Sequence, residues 1–513
     1  MLFNSYEFLF FFLPITLCVY HGLHRLRLFQ TALAALVAAS VLYYGWATPS
    51  FLLLLIPSIA ANFVIGRTIQ RRRTDRAGDL LLFGGVALNL ALIGYFKYTD
   101  FAIEVFNHTA GATIPRQFIE LPLGISFFTF QQIAFLADCR YKAFQETSVV
   151  HYSLFVTFFP QLIAGPIVHP QEMLPQFQGQ AASGVKPWLG FGLTTFVIGL
   201  LKKVVCADSM ADIATPIFDA AAGGKALTLF EAWGGTLCYS LQLYFDFSGY
   251  SDMAIGLGAL FGILLPLNFA SPYKAVDIAD FWRRWHITLS RFLRDYLYIP
   301  LGGNQRGPTR RYVNLMLTML LGGLWHGAGF NFVLWGGLHG LFLGANHAYR
   351  AVWSRLGFRL SDGGSVGGRL LTFVALLVAW VPFRAANTDT TLAVWRAMIG
   401  ENGAVLPRAW LDPLGVVSQA LAYYEVQFKG KADSTEILLA ACMLVIVWVA
   451  PNTQEIVARP ESAALPPLRL PVLPSFPALR WRPTWRWAVV MAVAAFIGIM
   501  KLDQVSEFIY YQF

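Results

Sequence analysis

A chain of 513 residues could hold several water-soluble domains, but this one is only 13% charged, about half the usual globular share, and 56% hydrophobic, which excludes soluble domains as its main content. Its 38 basic residues outnumber 29 acidic ones, for a formal charge of +9. In so apolar a chain that excess reads as basic loops on the cytoplasmic side of a membrane, not as nucleic-acid binding.

The first run, MLFNSYEFLFFFLPITLCVYHGL, lacks a basic leader and an A-x-A-like cleavage site, so it reads as a retained span. Further apolar runs lie near 31–47, 50–66, 80–97, 121–138, 151–168, 188–206, 229–247, 250–266, 312–325, 331–349, 370–383, 437–450 and 486–500. A crossing needs about 20 apolar residues and several runs are shorter, so about eleven or twelve complete crossings are expected. No internal repeat appears, and the nearest thing to a linker is the proline-rich run Pro466–Pro477. The five cysteines are scattered without a C-x-x-C pair, which argues against a disulfide framework or a zinc ribbon. One membrane domain over 1–513 is the simplest organisation.

Arginine placement orients the spans. Arg67, Arg71, Arg72, Arg73 and Arg76 fill one loop, expected in the cytoplasm. Counting back puts the N-terminus outside the cytoplasm.

Two later stretches interrupt the apolar pattern. YFDFSGYSDMAIGLG, Tyr244–Gly258, puts Asp246, Ser248, Tyr250 and Asp252 inside a long apolar run. Carboxylates there are costly unless paired or wet. The segment is therefore either an unwound break lining a cavity or a short loop between two spans. The most basic region follows, from Lys274 to Arg311. Within it DIADFWRRWHITLSRFLRDYLYIPLGG reads as one helix, capped by Asp277 and stopped by Pro300, Gly302 and Gly303. Trp282, Trp285, Leu289, Phe292 and Tyr296 share one face and Arg284, Arg291 and Arg294 lie off it, the pattern of a helix in the cytoplasmic interface.

GGLWHGAGFNFVLWGGLHG, Gly322–Gly340, places His326 between two apolar runs. Arg310 and Arg311 precede the first run, and Arg350, Arg355 and Arg359 follow the second, so both ends of the hairpin are expected in the cytoplasm. Tyr312 to Trp325 spans roughly 21 Å of helix, against a hydrocarbon core about 30 Å thick. The turn carrying His326 is therefore expected within the membrane, where irregular backbone must be buried or line a cavity. Gly327, Ala328 and Gly329 leave room beside the ring. His339, midway down the return run, reads as a packing residue. No G-x-S-x-G elbow, P-loop or H-E-x-x-H helix is present. What remains is histidine acid–base chemistry, suited to drawing a proton from a hydroxyl.

FDFSGYSDMAIGLG, the block NFASPYKAVDIADFWRRWHITLSRFLRDYLYIPLGGN and the W-H-G stretch together resemble the membrane-bound O-acyltransferases, most closely their bacterial alginate O-acetyltransferase branch. The similarity runs from MLFNSYEFLFF to FIYYQF. It implies an all-α polytopic fold, a ring of helices with interfacial and re-entrant pieces around a thinned central funnel, in the bacterial inner membrane. It implies His326 as the catalytic histidine and His286 as a second active-site position. A cytoplasmic acyl thioester such as acetyl-CoA would be the donor, with no bound cofactor or metal. An exopolysaccharide such as alginate would be the acceptor, reached with a periplasmic SGNH-type acetyltransferase. Trp325 and Asn331 beside the turn, Asp246, Ser248, Tyr250 and Asp252, and the basic helix with Arg283, Arg284 and Trp285 are the expected channel and donor-binding residues. Peptidoglycan, cellulose, teichoic acid or a lipid-linked glycan are alternative acceptors. A proton-coupled transporter is the alternative class, although transporters commonly show repeats between their halves.

Overall fold

Lipid offers a backbone no hydrogen bonds, so a chain this apolar must satisfy its peptide groups internally, and helices do so within each segment. A computed structural model describes residues 1–46, 48–142, 146–183, 188–305, 307–356, 366–404, 434–458, 479–502 and 508–509, and all their regular structure is helical. The run Pro466–Pro477, Arg306, Arg359 and most of 400–434 lie outside the described residues.

The first helices are α1 (Leu13–Arg25), α2 (Phe29–Gly45), α3 (Leu52–Arg71) and α4 (Arg76–Ile93), which continues through a π turn, Gly94–Tyr98, into α5 (Thr99–Ala110). α6 (Ile125–Tyr141), α7 (Val149–Thr157), α8 (Phe159–Leu162), α9 (Pro170–Ser183), α10 (Leu189–Leu201) and α11 (Asp208–Ala222) lead to the long α12 (Leu229–Leu260). Then come α13 (Ile278–Arg284), α14 (Ile287–Leu293), α15 (Gly307–His326), α16 (Phe330–Arg355), α17 (Val366–Arg384), α18 (Thr388–Met398), α19 (Ser434–Val449), α20 (Thr453–Ile456) and α21 (Trp485–Met500). Among the described residues five helical stretches are long and apolar enough to cross a membrane: Phe8–Arg25, Pro49–Arg71, Arg76–Ala110, Leu189–Ala222 and Val366–Arg384. The chain is a multi-pass membrane protein.

α12 is the hub. It packs on α10, α11, α17 and α18, and every residue from Leu243 to Leu260 is buried. The Tyr244–Gly258 segment is neither an unwound break nor a loop; it lies within α12, which runs unbroken from the run at 229–247 into that at 250–266 and ends at Leu260. Two glycine pairs make the close approach to α10 possible. A Cβ on Gly249 would lie 2.8 Å from the Gly199 carbonyl oxygen, and one on Gly256 would lie 2.6 Å from that of Gly192. Small residues seven apart on both helices let the backbones touch, a standard device where lipid supplies no hydrophobic drive.

Basic-region residues form two helices where the sequence pattern suggested one. Ala270 N–H donates to the Arg284 carbonyl (2.9 Å) and Ile287 N–H to the Asn268 carbonyl (2.9 Å), so an adjoining loop captures the backbone at Trp285–His286. His286 takes a left-handed conformation there, φ +41°. Asp277 does cap α13, accepting from Asp280 N–H at 2.7 Å. Trp285, Leu289 and Phe292 are buried against protein, so these helices are packed into the body more than laid on its surface.

Four π turns occur among the described residues, each widening the helix by one residue. Three of them aim polar side chains inward: Lys97 and Tyr98 from Gly94–Tyr98, Lys202 and Lys203 from Lys202–Ala207, and Tyr296 from Arg294–Tyr298.

Candidate active site

α15 ends on His326, and the turn Gly327–Gly329 reverses the chain into α16. The two arms approach closely because Gly323 and Gly336 face each other's backbones, where an added Cβ would strike the carbonyls of Phe332 and Met319. His326 is only 3% exposed, its ring held edge-on to Trp335 (5.1 Å between centroids), Phe383 (5.2 Å) and Trp325 (4.8 Å). Directly beyond it, Gly327, Ala328 and Gly329 form part of the wall of a cavity of about 770 Å³. Lys97, Asp100 and Glu104, then Tyr239 and Gln242 of α12, and then Arg384 line its other sides. His326 itself is not among the lining residues; the small-residue wall begins one residue further along the chain.

The rim of that cavity is stapled. Along one face of α5, Asp100 accepts from the N–H groups of Gln117 (2.6 Å) and Ile119 (3.3 Å). One turn on, Glu104 pairs with Arg116 at 2.5 Å, and Asn107 exchanges two hydrogen bonds with the Ile114 backbone. The i, i+4, i+7 spacing holds the following strap against the helix.

His286 lies on the far side of Trp325, 6.3 Å between ring centroids, and is fully buried. Its Nδ1 is 3.0 Å from the Asn268 side-chain oxygen. That oxygen also accepts from Thr288 Oγ1 (2.9 Å), while Asn268 Nδ2 donates to Ser251. An amide oxygen only accepts, so the network assigns the proton of neutral His286 to Nδ1 and leaves Nε2 as the acceptor nitrogen.

The other expected residues divide. Asn331 lines the cavity, but its amide donates to the carbonyls of Pro382 (3.1 Å) and Ala385 (2.9 Å) and so ties α16 to the end of α17. Trp325 is stacked on Phe130 between the two histidines. The α12 group does not line the cavity. Asp246 pairs with Lys203 (2.8 Å) and also accepts from Ile509 N–H (3.0 Å). Asp252 pairs with Lys202 (2.6 Å) and accepts from Thr453 and Gln454 of α20. Tyr250 stacks on Phe3, and Ser248 is buried beside it on the helix. Arg284 is buried, bound to Asp280 (2.9 Å) and the Ala270 carbonyl, whereas the Arg283 side chain is 67% exposed. Trp285 stacks on Phe281. His339 sits among Trp282, Trp335 and Phe281. Among the described residues no three His, Cys, Asp or Glu side chains converge as metal ligands would.

Sequence reasoning missed Asn268 and Lys97. Asn268 stands at the head of a motif block, with nothing local to mark its side chain. Lys97 closes the apolar run 80–97, where a lysine reads as the end of a span. Only the fold places it beside His326.

A family model for the membrane-bound O-acyltransferases matches residues 86–362. A peptidoglycan O-acetyltransferase from Helicobacter pylori is 43% identical over 436 residues, covering 79% of this chain and 81% of its own. A probable alginate O-acetylase, AlgI, from Pseudomonas aeruginosa is 36% identical over the whole of both chains. A teichoic acid D-alanyltransferase from Bacillus subtilis is 28% identical over 43% of this chain and 58% of its own.

Proposed function

Because the chain belongs to the membrane-bound O-acyltransferase family, we propose that this O-acyltransferase carries an acetyl group from a cytoplasmic thioester, acetyl-CoA, toward an extracytoplasmic exopolysaccharide such as alginate. The observation that carries the reading is His326, buried at the broken end of α15 with the cavity wall directly after it. Donor and acceptor of such a reaction lie on opposite sides of the membrane, and a buried base between them lets the acyl group cross without either bulky partner following.

His326 takes the proton of the acceptor hydroxyl as its oxygen attacks the thioester carbonyl. The carbon–sulfur bond then breaks, and the imidazolium returns the proton to the departing thiolate. His286, with Nε2 as acceptor, orients the donor by receiving a hydrogen bond from an amide N–H of its arm. Exposed Arg283, with its neighbours, draws the donor's phosphates. A periplasmic SGNH-type acetyltransferase receives the group and finishes delivery. The end-to-end match to the alginate O-acetylase supports the alginate reading, and the higher identity of the peptidoglycan relative supports peptidoglycan as the second acceptor.

Sealed inverted vesicles carrying the enzyme and its soluble partner, with alginate or peptidoglycan fragments enclosed, test this directly. Acetyl-CoA added outside should release thiol outside and form ester-linked acetate on one enclosed acceptor. Equal turnover of donor enclosed in the lumen would overturn the sidedness, and acetate on neither polymer would overturn the acceptor class.

A further inference from the structure

We infer that Lys97 is a positioning residue of the transfer reaction: its ammonium, with the Tyr98 hydroxyl beside it, grips the last carbonyls of α15 and so fixes His326. This rests on His326 being the base. A helix end leaves its final carbonyls without intrahelical partners. The Tyr98 hydroxyl donates to the Leu324 carbonyl (2.7 Å). Lys97 Nζ donates to the carbonyls of Trp325 (2.6 Å) and His326 (3.2 Å) and, at 3.4 Å, to Ser126 Oγ. Three consecutive carbonyls, ending at His326 itself, are thus held by two adjacent side chains.

Two features separate this from ordinary capping. Two adjacent residues act together: Lys97 and Tyr98 are the last two of the π turn Gly94–Tyr98, and both side chains reach the end of α15. The cation also has no carboxylate within ion-pair distance among the described residues, and all three of its donors are spent on oxygens at the helix end and on Ser126. A neutral donor could satisfy those carbonyls at less desolvation cost. A cation is the stronger clamp because it meets the negative end of the α15 dipole. Lys97 lines the cavity as well, so the clamp sits where the acceptor must approach.

Lys97→Met keeps the length of the side chain and removes every donor. Displacing a catalytic group by about 1 Å costs on the order of 100-fold, so kcat should fall about 10- to 100-fold with both KM values within about twofold. Lys97→Arg, whose guanidinium can reach the same carbonyls, should recover most of kcat. Lys97→Ala, assayed with added ethylammonium, should regain part of it, because the cavity admits a small amine; this arm serves if the methionine variant does not fold. Tyr98→Phe should lower kcat only a few-fold. Wild-type kcat in Lys97→Met, or a loss that neither arginine nor ethylammonium repairs, overturns the inference. A rise in acceptor KM without change in kcat overturns it too, since Lys97 would then be a binding group. His326→Ala in parallel separates the two claims: if that variant is active, it is the role of His326 that fails.

Discussion

Two regions put ionisable side chains deep in the apolar body, and they do it in opposite ways. On α12, Asp246 and Asp252 each meet a lysine from the π turn Lys202–Ala207 and take further donors from Ile509 or from α20. Each carboxylate there is answered by an ammonium, and both carboxylates are buried. At the end of α15, His326 and Lys97 meet aromatic faces and backbone carbonyls, with a cavity alongside. Charge answered by charge within close packing holds helices together. The end of α15 instead sets its polar groups beside an opening. In sequence both regions look alike, polar interruptions of apolar runs.

The largest effect should come from His326→Ala. Loss of a general base typically costs about 10²–10⁴-fold in rate, and acetylation should fall by that amount while the purified protein keeps its thermal transition. Near-wild-type acetylation would erase the contrast from the α15 side.

Lys203→Met attacks the other region. It strands the buried Asp246 carboxylate and releases Asp208, which the same ammonium holds at 2.9 Å, and this should cost about 3–5 kcal/mol and lower the melting temperature sharply. Lys203→Met with Asp246→Asn, which keeps an acceptor for Ile509 N–H, should recover the part of that stability due to Asp246 but not the part due to Asp208, and activity per folded molecule should stay close to wild type. Full stability with lost turnover in the single variant would make this pair functional instead.

Asn268→Ala sits between the two extremes. It removes the acceptor that sets the His286 proton, and each unsatisfied buried partner costs about 1–3 kcal/mol. Both melting temperature and kcat should fall together, whereas a change in stability alone would reduce Asn268 to packing.

The smallest effect is expected at the basic helix. Arg283→Ala should weaken donor binding a few-fold at low salt and hardly at all at high salt, since an exposed charge is screened over about 10 Å at 0.1 M. Arg284→Ala should instead lower stability, because buried Asp280 loses its closer guanidinium and the Ala270 carbonyl loses a donor, without salt dependence in donor KM. Equal, salt-sensitive loss of donor affinity in both would show that Arg284 reaches the donor after all.

The all-helical membrane fold, the Asp277 cap, the stop near Pro300 and the isolation of His326 at a turn are set by composition, short-range periodicity and glycine placement, so they could be read from the chain itself. So could the shortness of the arm that carries His326, because helix rise per residue is constant. What tertiary structure alone decided are the meetings of residues far apart. Lys203 and Asp246 come from different helices, Asn268 reaches back to His286, and Lys97 meets a carbonyl 229 residues away. Those meetings turned an apparent loop at Tyr244–Gly258 into continuous helix, because paired carboxylates no longer need water. They also broke the basic helix at His286, where a loop's backbone out-competed the next helical turn. Local pattern states what each segment can form. Which buried polar groups meet one another depends on desolvation and pairing across the whole packed body.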